Sequence, residues 1–243
     1  MKRFASNRGR LFVLLICGSF AGAQELTLTA RVALVNADHG SKTHDAGNVV
    51  LWLTPAENTA SPSSPANGGS QHPRLIQRNK SFEPHVLVVP VGSVVEFPNR
   101  DPFFHNVFSL FEGKRFDLGL YEAGSTRDVR FDKPGVSYIF CNIHAEMSAV
   151  VIALNTRYYG ISDQRGEVVI PSVPPGRYTL RIWYEAALPE TLKAMAREIT
   201  VSESASTLGV LRLSAATLPQ GHKNKYGRDY DPPIPDSPAY ERP

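Results

Sequence analysis

The run Gly135-Val136-Ser137-Tyr138-Ile139-Phe140-Cys141-Asn142-Ile143-His144-Ala145-Glu146-Met147 decides how the rest of the chain is read. Its first half, Ser137 to Cys141, carries the aromatic and β-branched residues of a strand. Its second half gives C-x2-H-x2-M directly after that strand, so a thiol, an imidazole and a thioether converge within seven residues. This is a soft nitrogen-and-sulfur donor set, suited to copper rather than to magnesium or calcium. Upstream, Phe103-Phe104-His105-Asn106-Val107-Phe108 places His105 at the entry to another strand, which completes a donor list of two histidines, one cysteine and one methionine. With two cysteines, seven histidines and three methionines in 243 residues, chance supplies this cysteine spacing in roughly 0.0007 instances per chain, so it is treated as a metal motif.

Working outward, the flanking text is dense in strand signals. Val86 to Val89, Val94 to Phe97, Asn106 to Ser109, Arg127 to Phe131 and Val150 to Leu154 are punctuated by Val91-Gly92-Ser93, Asn99-Arg100-Asp101-Pro102, Ala123-Gly124 and Lys133-Pro134-Gly135. A second set comprises Glu167 to Ile170, Tyr178 to Tyr184, Arg197 to Val201 and Leu208 to Leu213. Leu26 to Leu34 and Val49 to Leu53 are two further strands whose domain the sequence leaves open. The one helical candidate is Leu188 to Arg197, with Pro189 in its first turn. Eighteen glycines and nineteen prolines, 42% hydrophobic residues and 20% charged ones fit an all-β chain of short strands. They exclude collagen, coiled coil and a polytopic membrane protein.

The first 23 residues read as an export signal, with Lys2, Arg3, Arg8 and Arg10, an apolar stretch from Leu11 to Ile16, and Ala21-Gly22-Ala23 as the cleavage pattern. Without those four basic residues the formal charge of +3 becomes −1, so nucleic acid is a poor partner. No stretch is long enough to span a bilayer as a helix, and an exported protein that is not integral to the membrane is expected, periplasmic in a Gram-negative cell. Cys17 leaves with the signal, and Cys141 then stands as the lone thiol in an oxidising compartment. The expected organisation is therefore 1–23 signal, 24–54 strands of undecided domain, 55–74 a Ser- and Pro-rich loop, 75–154 the metal-motif domain, 155–214 a smaller sandwich, and 215–243 a disordered or extended tail.

Residues Leu75 to Leu154 resemble a cupredoxin, the family of plastocyanin, pseudoazurin and amicyanin. The resemblance is carried by Phe82-Glu83-Pro84, the turn before Val94-Val95-Glu96-Phe97, Asn99-Arg100-Asp101, His105-Asn106, Gly135 and the cysteine loop, whose spacing is similar to that of amicyanin. It implies a Greek-key β-sandwich or barrel and one type 1 copper ion. It also implies His105, Cys141 and His144 as a trigonal ligand set, Met147 as a weak axial ligand and Asn106 as a hydrogen-bonding neighbour of the site. The loop departs from plastocyanin-like ones in having Asn142-Ile143 where a proline often precedes the histidine. Residues Ile161 to Trp183, with Pro174-Pro175-Gly176-Arg177-Tyr178, resemble a carboxypeptidase regulatory-like, transthyretin-like sandwich, which implies a structural or docking module.

Each motif residue also has an ordinary structural reading: Cys141 as a small core hydrophobe, His105 as a satisfied buried histidine. Their joint occurrence decides for ligation. Phe103, Phe104 and Phe108 read as core and shielding around the site, His85 as a surface or barrel-edge residue, and His39, His44, His72 and His222 as solvated. The expected function is single-electron transfer by Cu(I)/Cu(II) cycling with a redox partner protein of unknown identity, leaving through the His144 imidazole edge, and no enzymatic activity. Copper delivery or buffering, and a metal-free envelope scaffold, are the alternatives.

Overall fold

The computed structural model describes residues 25–36, 45–56, 72–110, 112–216 and 221–230. The stretch read as an export signal, most of the expected 55–74 loop, His39, His44 and the end of the expected tail lie outside the described residues. Among the described residues the chain is all-β apart from one short helix. Its elements are β1 (Leu26–Asn36), β2 (Val50–Pro55), β3 (Ile76–Arg78), β4 (Ser81–Glu83), β5 (Val86–Pro90), β6 (Val94–Pro98), β7 (His105–Ser109), β8 (Phe116–Tyr121), β9 (Thr126–Arg130), β10 (Gly135–Cys141), β11 (Ser148–Leu154), β12 (Tyr159–Ile161), β13 (Glu167–Val173), β14 (Gly176–Trp183), α1 (Pro189–Met195), β15 (Arg197–Val201) and β16 (Thr207–Ala215). No helix among the described residues is long and apolar enough to cross a membrane.

Strand pairing assigns the two early strands. β1 runs antiparallel to β13 and parallel to β16, while β2 lies between β12 and β14, with β15 outermost. These sheets of three and four strands face each other over a core of Leu28, Val32, Leu51, Leu53, Ile170, Leu180 and Leu213. The chain leaves this flanking sandwich after β2, builds β3 to β11, and re-enters at β12 beside the strand it left. The intervening site unit has a five-stranded sheet in the order β5-β11-β10-β7-β8, faced by the pairs β6-β9 and β3-β4. Its core gathers Leu75, Phe97, Val107, Phe131, Ile139, Cys141, Met147 and Val151.

The two bodies share a third apolar layer, and strand periodicity explains it. In β11, Ala149, Val151 and Ala153 point into the site-unit core, while Val150, Ile152 and Leu154 point the other way. In β2, Leu51 and Leu53 face the flanking core, and Val50 and Trp52 face the same third layer, which Trp183 completes. A strand buried on both faces needs apolar residues at every position, which is why Ala149 to Leu154 reads as one unbroken run. Trp183 and Tyr138 both pack into this layer, and His85 Nε2 lies 2.6 Å from a carboxylate oxygen of Glu185. His85 thus stands where the edge reading puts it, immediately before the edge strand β5 and 39% exposed, and it also pairs with Glu185.

Candidate metal centre

The site forms at one end of the site unit, where β7 begins and β10 ends. β10 pairs with β7 through Cys141 opposite Val107, so His105, two positions before Val107, enters the same end of the sheet as the thiol. The chain then turns sharply: Cys141 N–H donates to the Met147 carbonyl at 3.1 Å and Met147 N–H to the His144 carbonyl at 3.2 Å. This turn returns the chain into β11 and brings His144 back over the thiol. Cys141 Sγ lies 3.5 Å from His105 Nδ1 and 3.5 Å from His144 Nδ1. The three donor atoms are all within 4.8 Å of one another, and theirs is the group of His, Cys, Asp and Glu side chains among the described residues placed to hold a metal ion. Met147 is buried in the same core beside Cys141.

His105 is fully buried and its Nε2 lies 2.9 Å from Asp101 Oδ2. With the carboxylate accepting the Nε2 proton, the Nδ1 lone pair is left pointing at the thiol. Asp101 is itself held. The hairpin β3–β4 turns through Asn79 and Lys80, both left-handed with φ of 54° and 55°, and their N–H groups donate to the carboxylate at 2.6 and 3.0 Å. Asn99 Oδ1 accepts the Asp101 N–H at 3.0 Å, and the Asn99 amide donates to the Phe103 carbonyl at 2.7 Å. The loop before His105 is therefore tied down before the ligand strand starts. Burial alone would raise the Asp101 carboxyl, but these N–H donors and the His105 ring outweigh it and hold it below the ordinary carboxylate range.

The electrostatics suit a metal. Burial pushes the Cys141 thiol up, against the N–H groups of Asn106, Ile143 and His144, which donate toward the sulfur. Burial pulls His105 down despite Asp101, and burial together with the neighbouring His105 and Lys80 takes His144 down to about 4. Near neutral pH both imidazoles are neutral with lone pairs free, and the thiol gives up its proton when a cation replaces it.

Asn106 sits beside the site through its backbone: its N–H faces the sulfur and its carbonyl accepts the Asn142 N–H at 2.8 Å. Its side chain turns away and donates to Asp117 at 2.7 Å. The Phe103 ring packs 5.3 Å from His105 and 5.6 Å from His144, and Phe108 is buried, whereas Phe104 is half exposed. His144 is half-buried, and its Nε2 is enclosed without a hydrogen-bond partner among the described residues. His222 is part-buried rather than solvated: its ring lies tilted against Phe140, with centroids 4.4 Å apart. Asp101 stood in the Asn99-Arg100-Asp101 stretch without being read as a site residue, and Asp117, Lys225 and Tyr230 carried no motif that would have placed them at the site.

No protein-family model and no curated protein matches the chain. Among solved structures it is similar to a purple cupredoxin from Nitrosopumilus maritimus, at 24% identity over 34% of this chain and 99% of that one, with a TM-score of 0.32. It is similar to a Cu-containing nitrite reductase from Thermus scotoductus at 26% identity over 35% of this chain and 22% of that one, with a TM-score of 0.33. An oxidised amicyanin mutant matches at 19% identity over 42% of this chain and 99% of that one, with a TM-score of 0.33.

Proposed function

We propose that the protein is an exported type 1 copper protein that carries single electrons, with His105, Cys141 and His144 as strong ligands and Met147 as a weak one. The observation that carries this reading is one buried thiol with two imidazole Nδ1 atoms each 3.5 Å away. A first-row metal binds nitrogen and sulfur at about 2.0 to 2.3 Å, and a trigonal arrangement at those lengths separates nitrogen from sulfur by about 3.7 Å, which the site matches. Copper bound there would supply reversible one-electron chemistry, with the thiolate favouring Cu(II) and the thioether and dry surround favouring Cu(I).

The chain's own part is to hold the donors still. Asp101 fixes the His105 ring and its proton, the N–H groups of Asn106, Ile143 and His144 stabilise the sulfur as an anion, and Phe103 covers both imidazoles. Donors fixed this way reorganise little between oxidation states. No proton transfer to a substrate is needed, so an electron carrier is favoured over an enzyme. The half-buried His144 and the half-exposed Phe104 mark the end at which a redox partner protein would dock.

Copper titration of the protein lacking residues 1–23 tests this. We expect one copper per chain, an intense visible thiolate-to-copper band and reversible one-electron reduction, with Met147→Leu keeping the band and shifting the potential. A colourless, redox-silent complex supports delivery or buffering, and failure to bind copper stoichiometrically supports a scaffold.

A further inference from the structure

The loop 141–147 carries three of the four proposed ligands, yet it contains no proline and no cross-link, so its covalent structure restricts it little. It is gripped instead by a segment far away in sequence. His222 N–H donates to the Ala145 carbonyl at 3.0 Å, Lys225 N–H to Asn142 Oδ1 at 2.9 Å, and Tyr230 O–H to the Cys141 carbonyl at 2.6 Å. The same segment reaches the other ligand strand: Lys225 Nζ lies 2.8 Å from Asp117 Oδ2, and Asp117 Oδ1 accepts the Asn106 amide at 2.7 Å. The segment is anchored by His222, whose ring packs against Phe140, Phe108 and Tyr230 with centroids 4.4, 6.3 and 5.4 Å away. Its Nδ1 lies 3.3 Å from the Tyr230 hydroxyl, while its Nε2 is enclosed without a partner among the described residues.

We propose that residues 221–230 are a positioning arm of the metal centre, holding Cys141, His144 and Met147 in ligand geometry from outside the loop. The contacts are distributed as such a role requires. They fall at the start and middle of the loop, on backbone carbonyls and an amide, and through Asp117 they tie the cysteine loop to the strand of His105. Without the arm the loop keeps Met147 N–H to His144, Cys141 N–H to Met147 and Asn142 N–H to Asn106, which close the turn but leave the Ala145 carbonyl and the Asn142 amide to water. The loop then samples conformations in which the thiol is accessible and the donors diverge. Partners that orient metal ligands typically contribute a factor of about 10 to 100 in metal affinity.

The proposal rests on the copper reading for one of its two readouts only. The first uses metal-free protein: the rate at which Cys141 reacts with an aromatic disulfide reagent. The second is the rate of copper loss to a chelator. A chain ending at Ala216 is expected to react about tenfold faster in the first and to lose copper about tenfold faster in the second. Tyr230→Phe, which keeps the ring and removes one hydrogen bond, gives a smaller increase in both and moves the visible band. Tyr230→Phe combined with Asp117→Asn serves if the shortened chain fails to fold. Thiol and copper rates within twofold of the full chain, with only a lower unfolding temperature, mean that the arm merely covers Phe108 and Phe140 and overturn the proposal. If the full chain takes up no copper, the copper reading fails while the thiol rates still decide the arm.

Discussion

The two bodies are built from similar short strands but differ in what they bury. The flanking sandwich encloses Leu, Val, Ile and Tyr side chains, and its buried polar residues serve the backbone: Ser162 Oγ donates to the Ala46 carbonyl at 2.6 Å and accepts the Val49 N–H at 2.8 Å. The site unit buries Gln77, Asn99, Asp101, His105 and Asn106. A buried carboxylate or imidazole costs several kcal/mol unless it is paired, and here the pairing is dense, with Asp101 alone receiving N–H donors from Asn79, Lys80 and His105. The Asp101–His105 part of this network lies at the end that holds Cys141 and His144. The opposite face of the same sheet, at Val150, Ile152 and Leu154, is as apolar as the neighbouring body. One body is thus arranged for packing, and the other sacrifices packing at one end to fix donor atoms.

The sharpest break of this comparison is a pair of substitutions. Cys141→Ser removes the thiolate and is expected to abolish the visible copper band completely, while thermal unfolding stays cooperative. Leu180→Ala, at a fully packed position of the flanking core, is expected to lower stability by about 2 to 5 kcal/mol and to leave the band of the folded protein unchanged. Chemical denaturation and absorption spectra of the same samples measure both. A folded Leu180→Ala protein that has lost its band would show that the two cores cannot be treated separately.

Next in size is Asp101→Ala. It strands the His105 Nε2 proton in a buried place, at a cost of about 1 to 3 kcal/mol, and leaves the N–H groups of the exposed Asn79 and Lys80 to water. It also releases the ring that presents Nδ1, so copper affinity is expected to fall by a factor of about 10 to 100. Asp101→Asn keeps one acceptor for His105 and should recover part of the affinity and less of the stability, because its NH2 group faces N–H donors. Equal copper affinity in Asp101→Ala and wild type, by chelator competition, would remove Asp101 from the site.

These residues also mark how far the sequence could be read. The grouping of His105, Cys141 and His144 was legible because one short loop carries the thiol and one imidazole, and the other imidazole opens a strand between phenylalanines. The all-β class and most strands followed from alternation and turn residues. The hairpin β3–β4 was missed since three-residue strands carry too little pattern, and β8 since Gly119 interrupts it at a φ of 67°. Asp101 stood in the Asn99-Arg100-Asp101 turn, but no spacing rule says that a loop carboxylate will meet an imidazole four residues on. The docking of His222, Lys225 and Tyr230 was illegible for a different reason. Polar, Pro- and Tyr-rich text looks the same whether it is solvated or laid along another surface, and what selects the surface is an aromatic face, Phe108 and Phe140, contributed by other strands.

The smallest predicted effect lies where the two bodies meet. Glu185 raises the His85 pKa above its ordinary value of 6.5 through a hydrogen bond and its charge, against the lowering effect of burial. A group whose folded pKa is raised contributes stability that is fully present below its unfolded pKa and is lost as pH rises through the folded value. The His85–Glu185 pair should therefore hold the junction more firmly near pH 6 than near pH 9. His85 is more than a third exposed, so solvent screening keeps the contribution small. The expected observation is a difference in unfolding temperature between wild type and His85→Ala that is largest in mild acid and shrinks as the pH rises. The copper band should be the same in both proteins, because the pair sits on the junction face and the metal donors gather where β7 begins and β10 ends. A difference that grows with pH would mean that His85 is held neutral, and the junction would then rest on its apolar layer.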